Sequence, residues 1–258
     1  MVFGISEISV IPVRKENNER SELVTQILFG ELFQIVEQND DWTYIKNRDD
    51  DHEGWISSSC ISVLNETEFN QIIKSDSHIL KSITEDVLIS DTNEIIRLPF
   101  GSTLPNFNKN NATFSIKKRQ YKLKNISTTN INNDILSLAK IFLNSPYLWG
   151  GKNPFGIDCS GFTQVIFKAI GQIIPRDSYQ QVKLGNTINF IGDTQIGDLA
   201  FFDNNEGIIT HVGIIIDNNN IIHSSIKVRI DKIDQQGIFN TELNKYTHKL
   251  RIIKRIII

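Results

Sequence analysis

Residues 156–171 read GIDCSGFTQVIFKAIG and decide the fold of the second half of the chain. Asp158 is a good helix N-cap, and the apolar residues after it recur at helical spacing up to Gly171, a suitable C-terminal cap. We therefore predict a helix that begins at Cys159. The N-terminus of a helix carries about half a positive charge, which favours thiolate over thiol. Cys159 is thus a candidate nucleophile with a lowered pKa, although a lone cysteine of this kind is more often inert core.

Two histidines, His211 and His223, lie in neighbouring apolar segments that read as the strands of one hairpin. A single histidine in such a strand is usually a core residue, but two in adjacent strands suggest a pair. A three-residue loop at 217–219 would pair His211 with Ser225 and place His223 diagonally on the same face, ~7 Å away. A four-residue loop without a bulge would put the rings on opposite faces. A joint function of the rings therefore predicts an odd loop or a bulge.

The chain before this region is organised as short β segments. Alternating and aromatic-rich stretches with turns between them predict a small β-barrel within residues 1–63. A weaker β pattern occupies 64–127, with a linker expected at 126–133. From residue 128 to 258, helical periodicity comes first and antiparallel strands follow, which predicts an α+β domain.

Composition excludes several classes of function. The 258 residues include 27 Lys and Arg against 30 Asp and Glu, a net charge of −3, so no global field attracts nucleic acid or an anionic membrane. No apolar run approaches the ~18–20 residues of a membrane span, and the N-terminal residues do not read as a secretory signal. Two cysteines make neither a disulfide framework nor a zinc site. We expect a cytoplasmic protein without a metal or organic cofactor.

Other reactive or charged residues have simpler interpretations. Cys60 follows a strand with no helix start and no nearby histidine, so it is expected to be inert. His52, His78 and His248 are expected to be structural or solvated. The basic stretch 117–124 alternates as a half-exposed strand does, and a solvated face is favoured over a phosphate site.

Several motifs, in order and spacing, resemble those of NlpC/P60 cysteine peptidases. They are Tyr147 to Gly151, Gly156 to Phe162, Pro175 to Gln181, Gly197 to Phe202, and His211 to Ile214. In the N-terminal half, residues 41–45 and 53–56 resemble bacterial SH3 (SH3b) modules, and 64–127 is similar to a divergent second one. The whole arrangement resembles γ-D-glutamyl-L-diamino acid endopeptidases, which trim murein peptides.

The resemblance implies a role for each matching residue. Cys159 would be the nucleophile and His211 the base, while His223 would orient His211. Tyr147 and the Cys159 backbone N–H would stabilise the oxyanion. Positions that bind the L-Ala-γ-D-Glu part match Asp158, Ser160, Asp177 and Ser178. Asp177 suits a free N-terminal amine, and a helix cap is its alternative.

The resemblance also implies how the substrate is selected. In the family an SH3b module closes one end of the substrate-binding groove, and Glu31 is the candidate residue at that closed end. Relatives often carry Tyr where this chain has His52, which puts a substrate contact there in doubt. The implied function is cleavage between γ-D-Glu and the diamino acid of murein-derived peptides, with no protein partner required. Two alternatives stay open: an amidase or acyltransferase of the same fold with another substrate, and a non-catalytic SH3b wall-binding protein.

Overall fold

The computed structural model describes residues 1–124 and 134–256. The linker predicted at 126–133 lies outside the described residues. Among the described residues, contacts define two compact units, one of 1–124 with 150–153 and the other of 134–149 with 154–256. Within these ranges, none of the helices is both long and apolar enough to cross a membrane.

The first unit begins with a seven-stranded antiparallel sheet. Its strands run in the order β3-β2-β6-β5-β4-β1-β7. They are β1 (Val2–Ile5), β2 (Val10–Arg14), β3 (Leu23–Leu28), β4 (Leu32–Gln38), β5 (Trp42–Asn47), β6 (Glu53–Ser57) and β7 (Ser62–Leu64). Buried side chains at alternating positions, such as Ile11 and Val13 on β2, form its interior. The all-β organisation predicted for residues 1–63 is confirmed.

Residues 64–124 contain one helix and six strands. They are α1 (Glu66–Lys74), β8 (Ser77–Ile79), β9 (Thr84–Ile89), β10 (Ile95–Pro99), β11 (Thr103–Pro105), β12 (Thr113–Ile116) and β13 (Arg119–Leu123). Helix α1 was not predicted, although Asn65 and Glu68 form a capping box at its start. On β13 only Tyr121 and Leu123 are buried, as expected for a half-exposed strand.

One apolar core runs through residues 5–123 of the first unit. Phe29, from the seven-stranded sheet, makes edge contacts with the rings of Phe114 and Tyr121 at centroid distances of 5.8 Å and 5.4 Å. A short strand, β14 (Lys152–Asn153), also belongs to this unit. The boundary at 63/64 between two β modules stays a prediction.

The second unit contains the predicted helices and sheet. Its elements are α2 (Ile135–Lys140), β15 (Gly156–Ile157), α3 (Cys159–Ala169), α4 (Ser178–Gln181), β16 (Asn186–Ile188), β17 (Leu199–Asp203), β18 (Ile209–Asp217), β19 (Asn220–Ser225), β20 (Lys227–Ile233), β21 (Gly237–Asn240) and β22 (Lys245–Arg255). The sheet order is β16-β22-β17-β18-β19-β20-β21, and β21 also pairs with β22, so strands β17–β22 close on themselves. Helix α3 packs on β18 and β19. The predicted α+β fold is confirmed.

Candidate active site

Helix α3 begins at Cys159, as the sequence predicts. The Asp158 carboxylate accepts a hydrogen bond of 2.7 Å from the Gly161 backbone N–H and caps the helix. At the other end, Gly171 has a φ of +88°, the left-handed conformation that suits glycine after a helix. The cap therefore fixes the cysteine in the first turn.

A buried ion pair holds the capping carboxylate of Asp158 in place. Both oxygens of Asp158 accept from Arg176, at 3.0 Å and 2.6 Å, and Arg176 also donates to the Ser160 hydroxyl at 2.9 Å. The Arg176 side chain is 1% exposed. Such a two-point pair holds the loop before α4 against the start of α3. This role of Arg176 was not predicted from the sequence, and the substrate contacts of Asp158 and Ser160 stay predictions.

The environment of the Cys159 thiol differs from the expected one. Burial raises the pKa of Cys159 to about 12, and the Asp158 charge adds to this effect, whereas backbone N–H groups of Val212 and Ser160 lower it. The pKa of Cys159 is thus raised where the sequence predicted a lowered one, because desolvation at this buried site outweighs the helix N-terminus. The contact with Val212 places the sulfur against β18, beside the residue that follows His211.

The two histidines share one face of the β18–β19 hairpin. Asp217 pairs with Asn220 across a two-residue loop, and a bulge between Ile215 and Asp217 restores the register in which Gly213 faces His223. The sequence predicted either an odd loop or a bulge, and the bulge between Ile215 and Asp217 confirms this prediction. His211 Nε2 and His223 Nδ1 are 2.8 Å apart, a direct hydrogen bond.

The hydrogen-bond chain continues beyond the second histidine. His223 Nε2 lies 3.0 Å from Asp231 Oδ2 on β20, and Asp231 pairs with Arg229 at 2.8 Å. Neither Asp231 nor Arg229 was predicted from the sequence. The sequence of β20 contains a sign of their role. Arg229, Asp231 and Ile233, each two residues apart, point to one face of the strand, and two of the three are polar where a core-facing strand is usually apolar.

A third imidazole packs on this pair. The ring of His248, from β22, lies edge-on to His223 with centroids 5.6 Å apart and contacts the His211 ring face to face. Of the two expectations for His248, structural or solvated, the packing fits the structural one, and it places the ring against the histidine pair. Burial lowers the pKa of His248 to about 4 and lowers the pKa of His211 well below its usual value. At neutral pH these rings are uncharged.

Tyr147 is held beside the thiol by backbone pairing with the β19–β20 turn. Its N–H donates to the Ile226 carbonyl at 2.8 Å, and the preceding residue, Pro146, bridges to Lys227. Burial raises the pKa of Tyr147, and the nearby Asp158 carboxylate adds to this effect. The phenol therefore keeps its proton and can donate a hydrogen bond, as an oxyanion donor needs to do.

The remaining predicted substrate residues lie in two places. Asp177 is the N-cap position of α4, and Ser178, its first residue, is buried. The helix-cap alternative for Asp177 thus describes its backbone role, while the amine contact stays a prediction. Glu31 lies in the first unit, where its buried carboxylate pairs with Lys152 Nζ at 3.0 Å and accepts from the Leu28 N–H.

Comparison with known proteins agrees with this geometry. Residues 144–248 match the NlpC/P60 family, and residues 13–61 match the bacterial dipeptidyl-peptidase SH3 domain. The chain is 32% identical over 218 residues to the gamma-D-glutamyl-L-lysine dipeptidyl-peptidase of Bacillus subtilis, which covers 78% of this chain and 71% of that protein. It is 30% identical over 232 residues to the protein of the same name from Bacillus cereus, covering 79% and 68%.

A solved structure shares the fold. The crystal structure of an NlpC/P60 family protein from Bacillus cereus superposes with a TM-score of 0.80 at 21% identity and covers 98% of this chain and 99% of that one. The chain belongs to the NlpC/P60 family of peptidases, with an SH3 domain in its N-terminal half.

Proposed function

We propose that the protein is a cysteine peptidase that hydrolyses the γ-D-glutamyl–diamino acid bond of murein-derived peptides with a free N-terminal L-Ala. The observation that carries the proposal is the hydrogen-bonded pair His211–His223 beside the capped N-terminus of the Cys159 helix. The relatives named gamma-D-glutamyl-L-lysine dipeptidyl-peptidase support the substrate class.

The reaction begins with a neutral pair. His211 takes the thiol proton as the Cys159 sulfur attacks the carbonyl carbon of the γ-D-glutamyl amide. The oxyanion that forms accepts hydrogen bonds from the Tyr147 hydroxyl and the Cys159 backbone N–H. As the C–N bond breaks, the His211 imidazolium returns its proton to the leaving amine of the diamino acid.

A thioester of the dipeptide then remains on Cys159. Water attacks its carbonyl carbon while His211 removes a proton, and collapse releases L-Ala-γ-D-Glu with its new carboxylate and restores the thiol. Because the proposed reaction starts from the Cys159 thiol, His211 must remove the thiol proton in every acylation step. Hence the orientation of His211 is decisive for the rate.

Recognition of the dipeptide rests on charge. Asp177 supplies a carboxylate for the free amine of L-Ala, and Ser178 and Ser160 supply hydroxyl groups. A peptide with a free amine has already been released from the wall, which supports a role in the recycling of wall peptides, and we propose that the protein acts on them in the cytoplasm.

The experiment compares L-Ala-γ-D-Glu-L-Lys with its diaminopimelate counterpart, each as the free and the N-acetylated peptide. Cleavage of the free peptides with release of L-Ala-γ-D-Glu supports the proposal, and the ratio between the two identifies the diamino acid. Cys159→Ala abolishes cleavage, whereas Cys60→Ala, the matched control at the other cysteine, leaves it unchanged. Equal rates on free and acetylated peptides would contradict the amine role of Asp177.

A further inference from the structure

The Asp231 carboxylate lies directly behind the histidine pair. Its side chain is 2% exposed, and Oδ2 lies 3.0 Å from His223 Nε2. Arg229 contacts both carboxylate oxygens, with Nη2 at 2.9 Å from Oδ1 and Nε at 2.8 Å from Oδ2. Arg229 is in turn 3.2 Å from the exposed carboxylate of Glu242. The carboxylate is therefore held rigidly at one end of the hydrogen-bond chain.

Asp231 is ionised despite its burial. Burial raises the pKa of this carboxyl, but hydrogen bonds and positive charge from His223 and Arg229 outweigh burial and bring the pKa below its usual value. An ionised carboxylate only accepts hydrogen bonds. The nitrogen that faces it, His223 Nε2, must then carry a proton.

The ionised Asp231 determines which nitrogen of each histidine in the hydrogen-bond chain carries a proton. Burial lowers the pKa of His223 more than Asp231 raises it, so the ring is neutral and has a single N–H, at Nε2. His223 Nδ1 therefore accepts, and the donor is His211 Nε2 at 2.8 Å. Since His211 is neutral as well, its other nitrogen, Nδ1, has no proton and presents its lone pair.

We propose that Asp231 is a positioning residue that fixes the tautomers of His223 and His211, so that His211 Nδ1 can accept the proton of Cys159. The assignment rests on the proposed function. Asp231 acts through two imidazole rings and does not touch the substrate. Without it, His223 can place its proton on Nδ1, which reverses the hydrogen bond and puts the proton of His211 on the nitrogen meant to be the base.

The first test needs no variant and no substrate. Nitrogen-15 spectra of the histidine rings in the ligand-free wild type at pH 7 report which nitrogen is protonated. We expect His211 and His223 both as the Nε2–H tautomer. A proton on Nδ1 of His223 overturns the proposal, whatever the peptide specificity turns out to be, so this failure is distinct from failure of the proposed function.

The second test uses Asp231→Leu with a matched control. Asp198→Leu breaks an ion pair of a buried carboxylate directly before β17, in which Arg255 Nε and Nη2 each lie 2.8 Å from a carboxylate oxygen. We expect Asp231→Leu to lower kcat by up to about 10⁴-fold, the cost of a wrong tautomer behind a catalytic histidine in serine proteases, with KM little changed. The control keeps both the wild-type kcat and the wild-type tautomers.

Two outcomes count against Asp231. A folded Asp231→Leu protein with both rings still as Nε2–H tautomers overturns the proposal, and so does a loss of kcat as large in Asp198→Leu. Arg229→Met tests the role of the arginine, because it removes the guanidinium and leaves the carboxylate. We expect this variant to retain the Nε2–H tautomers, and reversed tautomers in it would assign the positioning role to Arg229 instead.

Discussion

The imidazole ring of His248 lies face to face with that of His211, with centroids 4.2 Å apart and planes inclined by 25°. Phe202 covers both rings, at 5.7 Å from His211 and 5.8 Å from His248. His211, the proposed base, is therefore packed between aromatic rings and its hydrogen-bond partner His223. This packing keeps water from the ring and, with the neighbouring imidazoles, lowers its pKa.

We expect His248→Ala to move the acid limb of the kcat/KM profile to higher pH. Water reaches the uncovered face of His211, so its pKa rises toward the ordinary value of about 6.5 and the basic form is lost at a higher pH. His223 and Phe202 still face the ring, and Asp231 lies beyond His223. His248→Phe keeps the cover and should keep the wild-type limb. Identical profiles for the two variants would contradict this role of the stack.

The Cys159 thiol should lose its proton only at high pH. In a Cys60→Ala background, the rate of iodoacetamide alkylation followed by mass spectrometry should keep rising with pH up to at least 9, because burial raises the thiol pKa to about 12. Only a small fraction is thiolate at neutral pH. A rate that levels off below pH 7 would show instead that a thiolate–imidazolium pair exists in the resting protein.

Gly213 provides the room that His223 needs. A Cβ there would lie 2.9 Å from the His223 Cβ and 2.7 Å from the Ile221 Cδ1. Gly213→Ala should therefore displace His223 from His211, lower kcat and cost about 1–3 kcal/mol of stability through overpacking.

The matched control for this change is Gly192→Ala, because nothing lies within 4 Å of a Cβ at that position. We expect it to leave kcat and the urea midpoint unchanged. Wild-type kcat in Gly213→Ala would mean that the hairpin adjusts without moving the ring.

The Glu31–Lys152 pair is a buried feature of the first unit, with side chains 2% and 3% exposed. Lys152→Met removes the ammonium opposite a buried carboxylate, so urea unfolding should show a loss of about 3–5 kcal/mol. The double variant Glu31→Gln/Lys152→Met should recover most of that loss. Lys15→Met, in the exposed pair with Glu22, should change stability by less than about 1 kcal/mol. A Lys152→Met protein as stable as the Lys15→Met control would show that the buried pair does not contribute to the free energy of unfolding.

Local patterns were sufficient to predict much of the second unit. Asp158 and Gly171 predicted both ends of α3 because caps act over a few residues. For His211 and His223 to share one face of their hairpin, strand alternation required an odd loop or a bulge, and a bulge is found between Ile215 and Asp217. Helix α1 was missed since its short amphipathic pattern was read together with the strands around it, although its capping box was visible.

The sequence by itself determined that Cys159 begins α3, that two histidines share one hairpin, and the order of the elements in the second unit. Caps, strand alternation and motif spacing depend on residues close together in the chain. Only the tertiary structure decided that Asp231 and His248 contact the histidine pair and that burial raises the pKa of the Cys159 thiol. Strand closure brings β20 and β22 to the histidine pair, and desolvation depends on everything packed around a group. No local pattern contains that information.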